Sequence, residues 1–153
     1  MRVEDLMTRS VRTIAPEDPA EVAWSLMQRD DFHHLVVMDH GHAVGVLSRG
    51  DLGGLKGANR RKGVTASDLM TPSVVTATPT TTLRQAANLL RGYSIGCLPV
   101  LRGKTLVGIL TVTDLLDAYG RGDIKPAPAR WKPTYRSERW PRVPPGGPES
   151  RRH

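Results

Sequence analysis

A nine-residue phrase occurs twice in this chain of 153 residues: VGVLSRGDL at 44–52 and VGILTVTDL at 107–115. The same offset of 63 residues aligns DLMT at 5–8 with DLMT at 68–71. Across the aligned span roughly a third of the positions are identical, which chance does not produce at one fixed shift. The chain therefore contains a duplicated unit of about 60 residues, and this repeat constrains the fold more than any local pattern.

Each copy of the unit predicts the order strand, helix, strand, strand, helix. In the first copy, 10–14 is extended, and a helix follows with Asp18 as its N-cap and Pro19 at its first position. Strands at 35–38 and 43–47 are joined by a hairpin turn. A closing helix starts at Arg49, is cut short by glycines, and is followed by a polar connector over 59–63.

The second copy repeats this order with a cleaner pattern. The extended segment is 74–77, and a helix with an apolar stripe runs from Leu83 to Leu90. Strands at 97–101 and 106–110 are followed by a helix at 112–119, with Gly120 as its C-cap glycine. A unit of about 60 residues buries too little surface alone, so we expect the two units to pack through their sheets in an α+β fold.

The net charge of +7 is located mainly in the C-terminal segment. Residues 1–120 carry 13 basic and 12 acidic side chains, whereas 121–153 carry 9 basic and 3 acidic ones. The tail also contains seven of the twelve prolines and few aliphatic side chains, which predicts a disordered appendage that is dispensable for folding. Tryptophans beside basic residues at 130–132 and 139–142 leave nucleic-acid binding open for the tail alone, with an unstructured solubilising segment favoured.

Composition excludes several classes of function. Cys97 is the only cysteine, so neither an internal disulfide nor a thiolate metal cluster is expected, and we interpret it as a small buried side chain. No apolar run reaches the length of a membrane span and no signal peptide opens the chain, so we expect a cytoplasmic location. P-loop, dinucleotide-binding and nucleophile-elbow motifs are missing from the sequence, and we predict no enzymatic activity.

The doubled phrase places a hydroxyl and a carboxylate one helical turn apart. Ser48 and Thr111 stand where a strand becomes a helix, and free N–H groups at such a start attract phosphate. Asp51 and Asp114 can accept hydrogen bonds from a ribose diol. The same pattern also matches a capping box, which needs no ligand. A single copy of the pattern favours the capping box, whereas two copies inside the family pattern described next favour nucleotide binding.

The duplicated pattern resembles a tandem pair of CBS domains, also called a Bateman module. The motifs that carry the resemblance are DLMT at the start of each unit, Val-x-Thr at 11–13 and 74–76, Leu98-Pro99-Val100, and Gly-x-x-Ser/Thr-x-x-Asp in each copy. The resemblance covers residues 1 to about 118. It implies two β-α-β-β-α units, 1–57 and 58–120, packed as a pseudo-twofold disc, with the tail at 121–153 outside the pattern.

The resemblance also implies two clefts that bind adenosine-containing ligands such as AMP, ADP or ATP, as regulators and not as obligatory cofactors. His33 and His34 precede the second strand where similar domains place groups near the ligand's phosphates; a metal site there is not favoured. The predicted ligand-binding residues are Thr13, His33, His34, Ser48, Asp51, Thr76, Gly96, Cys97, Pro99, Thr111 and Asp114.

The two clefts are not expected to bind equally. Val36 stands where the second unit has Pro99, and the first closing helix is rich in glycine, so we expect stronger binding at Asp114 than at Asp51. We expect a homodimer as well, because Trp24 lies beside the apolar stripe of its helix and is predicted to be exposed. The regulated partner is unidentified, and the alternative function is an interaction adaptor with empty clefts whose tail contacts an acidic partner.

Overall fold

The computed structural model describes residues 1–72 and 75–124. The predicted disordered tail lies almost entirely outside these residues, as do Ser73 and Val74, the second of which begins the extended segment predicted at 74–77. The elements are α1 (Val3–Leu6), β1 (Thr13–Ile14), α2 (Ala20–Asp30), β2 (His34–Asp39), β3 (His42–Ser48), a 3-10 turn (Gly54–Lys56), α3 (Ala58–Arg61), α4 (Ala66–Leu69), β4 (Thr71–Pro72), α5 (Leu83–Gly92), β5 (Cys97–Arg102), β6 (Thr105–Thr111) and α6 (Val112–Gly120).

The predicted α+β fold with two similar units is confirmed. In the first unit β2 and β3 form an antiparallel hairpin, β1 joins β2 in parallel, and β4 joins β3 on the other side. In the second unit β5 and β6 form the matching hairpin, and Ala77 makes a single parallel bridge to Val100. The two hairpins keep the same register at the 63-residue offset, Leu35 opposite Leu47 and Leu98 opposite Leu110.

The short segment near the start of each unit packs on the other unit. Thr8, which follows α1, exchanges both backbone hydrogen bonds with Ile109 of β6 at 2.9 Å each. Thr71 of β4 pairs in the same way with Val46 of β3. We call residues 1–9 and 64–72 the lead-in segments. Their reciprocal placement gives the pair an approximate twofold relation and ties each unit to the other.

Three hydrophobic cores result from this exchange. The core of the second unit includes Val3 and Met7 from the first lead-in segment, and the core of the first unit includes Ala66 from the second. A third cluster joins the units through Val36 of β2, Cys97 of β5 and Ile109 of β6. The expectation that the units pack through their sheets is therefore confirmed.

The ends of two helices differ from the prediction. Pro19 and not Asp18 is the N-cap of α2, and the Asp18 carboxylate instead accepts a hydrogen bond from the backbone N–H of Ala15 at 3.0 Å. Gly120 is the last residue of α6, while the left-handed conformation belongs to Gly122 at φ +81°. The N–H groups of Gly122 and Asp123 donate to carbonyls of the last helical turn, so the helix ends one residue later than expected and its terminating glycine lies two residues later.

The segment predicted as a polar connector at 59–63 contains α3 and a buried arginine. Arg61 donates hydrogen bonds to the carbonyl oxygens of Leu52 and Gly54 at 2.9 and 2.8 Å. Its guanidinium lies 4.1 Å from the ring centroid of Trp24 and its Nε lies 3.7 Å from a Glu21 carboxylate oxygen. Trp24 is thus half-buried under Arg61, so the prediction that it is exposed is wrong.

Candidate functional site

The repeated phrase forms the same capping box in both units. The backbone N–H of Thr111 donates to Asp114 Oδ2 at 2.9 Å, and the N–H of Asp114 donates to Thr111 Oγ1 at 3.0 Å. Ser48 and Asp51 make the equivalent bonds at 2.9 and 3.1 Å. The capping interpretation of the motif is therefore confirmed. Because these bonds use Oδ2 alone, Oδ1 of each carboxylate can accept bonds from another group.

The two boxes lead into different structures. After Thr111 comes α6, nine residues long, whose aligned peptide dipoles make its start electropositive. After Ser48 come tight turns, with Gly53 and Gly54 at positive φ, and then the 3-10 turn. The predicted interruption of the first closing helix is confirmed. The Asp51 side consequently lacks the helix dipole that the Asp114 side has.

A cleft of about 380 Å³ opens in front of Asp114. It is lined by Thr8, Ser10, Val11, Arg12, Asp31, Phe32, His33, His34, Ile109, Thr111, Thr113 and Asp114. Val11, Phe32 and Ile109 make its wall partly apolar, whereas the hydroxyls of Thr111 and Thr113 and the Asp114 carboxylate make it partly polar. Because its walls come from both units, a molecule in the cleft would contact both at once.

Two arginines fix the loop that forms one wall of the cleft. Arg49 is half-buried and donates to the carbonyl oxygens of Phe32 and Met27 at 3.4 Å each, and its guanidinium lies 3.4 Å from an Asp31 carboxylate oxygen. The guanidinium of Arg12 lies 5.5 Å from the ring centroid of Phe32. Through these contacts Arg49 holds the loop in place.

His34 lies close enough to both repeated carboxylates, Asp51 and Asp114, to be affected by their charges. Burial first, and then the neighbouring His33, lower the pKa of His34, while the carboxylates of Asp51 and Asp114 oppose this shift. A Cβ added to Gly96 would come within 3.3 Å of His34 Nε2, so the imidazole lies directly against that glycine. The folded protein therefore favours a neutral His34, which can both donate and accept a hydrogen bond.

The structure brings four of the eleven predicted ligand-binding residues into this cleft: His33, His34, Thr111 and Asp114. Ser48, Asp51, Gly96 and Cys97 occupy the positions related to these by the repeat. Thr13 lies in β1 and Thr76 precedes Ala77, which makes the single bridge to Val100, and neither threonine lines the cleft. A ligand-binding role for the residues outside the cleft stays a prediction.

Two of the predicted residues belong to the packed interior. Pro99 and Cys97 are both fully or almost fully buried in β5. Burial, followed by the charge of Asp51, raises the pKa of the Cys97 thiol to about 12. The interpretation of Cys97 as a small buried side chain is confirmed, since a thiol with this pKa is protonated and unreactive at neutral pH.

Eight lining residues were not predicted from the sequence: Thr8, Ser10, Val11, Arg12, Asp31, Phe32, Ile109 and Thr113. A signal for three of them was present, because Thr8, Ser10 and Val11 are identical to Thr71, Ser73 and Val74 at the repeat offset. Identity between two copies can mark a shared site as well as shared packing. Phe32, the only phenylalanine of the chain, has isoleucine as its counterpart and gave no such signal.

A metal site would need a cluster of ligands, and a membrane span would need a long apolar helix. Within 1–72 and 75–124, no three or more His, Cys, Asp or Glu side chains gather as a metal site would require. None of the helices in the same ranges combines the length and apolar character needed to cross a bilayer.

These features, two matching units with exchanged lead-in segments and a cleft at the repeated turn, define a CBS domain pair. The CBS domain family model matches residues 3–52 and 66–121, and the chain belongs to this family. Among curated relatives, the CBS domain-containing protein YhcV of Bacillus subtilis is 32% identical over 114 residues, covering 74% of this chain and 81% of YhcV.

Similarity extends to an enzyme and to a solved complex. Inosine-5'-monophosphate dehydrogenase of Thermoplasma acidophilum is 34% identical over 116 residues, covering 75% of this chain but only 23% of that enzyme. The crystal structure of CBSX2 in complex with AMP superposes with a TM-score of 0.67 at 28% identity, covering 78% of this chain and 97% of CBSX2.

Proposed function

We propose that this protein is a regulatory module that binds an adenosine-containing nucleotide, such as AMP, in the cleft at Asp114. The observation that carries the proposal is the cleft itself, about 380 Å³, with an apolar wall beside a helix start that presents a carboxylate and two hydroxyls. Support comes from the similarity to CBSX2, which was solved with AMP.

The polarity of the walls suggests how such a ligand would lie. The purine would pack against Val11, Phe32 and Ile109, which are the apolar side chains of the lining. The ribose diol would donate to Asp114 Oδ1, the oxygen not used by the capping box. The phosphate would lie near the N-terminus of α6, where the helix dipole and the Thr113 hydroxyl favour negative charge.

We propose one strong site in each chain. The Asp51 carboxylate has the same cap as Asp114, but tight turns and not an α-helix follow it, so a phosphate there meets no helix dipole. In addition, the His34 imidazole lies against Gly96, which narrows the space available to a ligand on the Asp51 side. Both features favour the Asp114 cleft.

Regulation would result from the position of the cleft between the two units. Thr8 to Arg12 and Asp31 to His34 form one side of it, and Thr111 to Asp114 form the other. A ligand that contacts both sides stabilises the arrangement in which they are close, and so shifts the population toward it. The partner that senses this shift is an unidentified regulated protein, and we propose no catalytic role for the chain itself.

Three further expectations remain part of the proposal. We expect the protein to act in the cytoplasm and to form a homodimer. We also keep the division into units 1–57 and 58–120 with a tail from 121, although the lead-in segments pack across it.

The test compares AMP binding by the wild type with binding by Asp114→Ala and Asp51→Ala. Both substitutions remove one capping box of nearly identical hydrogen-bond geometry, so Asp51→Ala is the control for the loss of the box itself. Asp114→Ala also removes the acceptor for the ribose, and we expect AMP affinity to fall about tenfold to a hundredfold, with a much smaller effect of Asp51→Ala.

Isothermal titration calorimetry measures both affinities, and a thermal-shift panel with ADP, ATP and S-adenosylmethionine identifies the preferred ligand. Absence of binding by all four compounds at millimolar concentration would rule out the proposed function. Equal losses for the two variants would show that the clefts do not differ as proposed.

A further inference from the structure

One arginine holds a wall of the cleft from outside the cleft. Arg49 does not line the cleft, whereas the loop at 31–33 does. The Arg49 guanidinium donates to the carbonyl oxygens of Phe32 and Met27 at 3.4 Å each. It also lies 3.4 Å from an Asp31 carboxylate oxygen. Because Asp31 is 89% exposed, the ion pair is weak, and the bonds to the two carbonyls contribute most to holding the loop.

The position of Phe32 depends on these contacts. Its ring is one of the apolar side chains of the lining, and we have proposed that the purine packs against it. The guanidinium of Arg12 lies 5.5 Å from the centroid of this ring and 3.4 Å from an Asp30 carboxylate oxygen. Arg49 thus fixes the backbone of Phe32, while Arg12 restricts its ring. A wall that is ordered before the ligand arrives lowers the entropic cost of binding.

The equivalent loop of the second unit lacks this arginine. At the repeat offset Val112 replaces Arg49, and a valine side chain has no hydrogen-bond donor. The backbone bond at this position is common to both units. The N–H of Arg49 donates to the carbonyl oxygen of His33 at 3.1 Å, and the N–H of Val112 donates to that of Gly96 at 3.0 Å. The side-chain contacts of Arg49 therefore serve the loop that lines the cleft at Asp114.

We infer that Arg49 is a positioning residue for the adenosine site and acts through Phe32. The inference rests on the proposed function and adds a residue that lies outside the cleft. Arg49 belongs to the repeated turn of the first unit, so it also ties the geometry of that turn to ligand binding at Asp114. Without Arg49 the loop would have to be ordered during binding. This cost is comparable to immobilising one side chain, or roughly threefold to tenfold in affinity.

The test is isothermal titration calorimetry of the wild type and Arg49→Met with both AMP and adenosine. Methionine keeps an unbranched side chain but has no donor. The affinities for AMP and for adenosine should fall by the same factor, roughly threefold to tenfold, because the wall that faces the purine is affected. A loss confined to AMP would show that Arg49 contacts the phosphate directly, and unchanged affinities would show that it does not position the wall. Either result would overturn the inference.

A double-mutant cycle with Phe32→Ala separates positioning from a general loss of structure. If Arg49 acts through Phe32, Arg49→Met should have little further effect on affinity once the ring is absent. Independent effects that multiply in the double variant would overturn the inference. Arg49→Lys keeps the charge but lacks the planar guanidinium, so it should lose less affinity, again equally for both compounds. This variant carries the test if thermal unfolding shows that Arg49→Met is not folded.

Arg29→Met is the matched control for the loss of a positive charge. Arg29 lies near the end of α2, is 69% exposed, and pairs with Asp30. The control should bind both compounds as the wild type does. Equal losses for Arg29→Met and Arg49→Met would overturn the inference, since charge alone would then explain them. A wild type that binds neither AMP nor adenosine would overturn this inference together with the AMP binding proposed above.

Discussion

Replacing Gly108 by alanine should release the first lead-in segment from the second unit. A Cβ at position 108 would lie 2.7 Å from Met7 Sδ and 3.0 Å from the carbonyl oxygen of Thr8. The Met7 side chain can move, but the Thr8 backbone is held by its two hydrogen bonds to Ile109 at 2.9 Å. Alanine therefore cannot be accommodated by a side-chain rotation alone.

The size of the effect can be worked out from these contacts. Overpacking of this kind costs typically about 1–3 kcal/mol, and weakening two backbone hydrogen bonds adds about 1 kcal/mol more. We expect the free energy of unfolding to fall by about 2–4 kcal/mol, which corresponds to a drop of roughly 6–16 °C in melting temperature for a body of this size. Urea unfolding followed by circular dichroism measures the first quantity, and a thermal melt measures the second.

Two variants make the comparison specific. Gly45→Ala should be as damaging, because its Cβ would lie 2.5 Å from Met70 Sδ and 2.9 Å from the Thr71 carbonyl oxygen. Gly92→Ala, at the end of α5, has no atom within 4 Å of the added Cβ and should leave stability unchanged or slightly raised. Because Thr8 lines the cleft, Gly108→Ala should also weaken AMP binding more than Gly45→Ala does.

Neutral substitutions usually change the free energy of unfolding by no more than about 0.5 kcal/mol. A change no larger than this for Gly108→Ala would refute the prediction. It would mean that the lead-in segment can shift without loss. The repeated glycine would then need another explanation.

Three further predictions concern buried and terminal groups. Arg61→Met should lower the free energy of unfolding in urea by about 2–4 kcal/mol, because two carbonyls lose their buried donor and Trp24 loses its cover; an unchanged midpoint would contradict the role of this arginine. Burial and His33 lower the pKa of His34 from its ordinary 6.5, so the unfolded chain binds more protons than the folded chain as the solution becomes acidic. The free energy of unfolding should therefore fall between about pH 7 and 5, and it should fall less in His34→Gln. Parallel pH profiles of the two proteins would contradict this prediction. Deleting 125–153 should leave the melting temperature nearly unchanged. Deleting 122–153 should lower it, because the N–H groups of Gly122 and Asp123 satisfy carbonyls at the end of α6 and Ile124 packs on the core; equal melting temperatures for the two deletions would show that residues 122–124 contribute nothing.

Much of the fold could be predicted from the sequence because its signals are local. The repeat at a fixed offset predicted two similar units, and short apolar runs joined by turn residues predicted the hairpins β2–β3 and β5–β6. The Ser/Thr-x-x-Asp motif predicted where a strand gives way to a helix start, and the glycines after Asp51 predicted that the first closing helix would be interrupted. Apart from the repeat, each of these signals depends on residues within a few positions of one another.

Only the tertiary structure decided which distant segments meet. That the first lead-in segment packs on the second unit depends on a contact between Thr8 and Ile109, about a hundred residues apart, and no local pattern encodes such a pairing. The same exchange explains why Gly108 must be glycine and why Thr8 faces the same cleft as Asp114. The burial of Arg61 likewise depends on the carbonyls that the broken helix leaves free and on a tryptophan from another helix, a combination that exists only once the chain has folded.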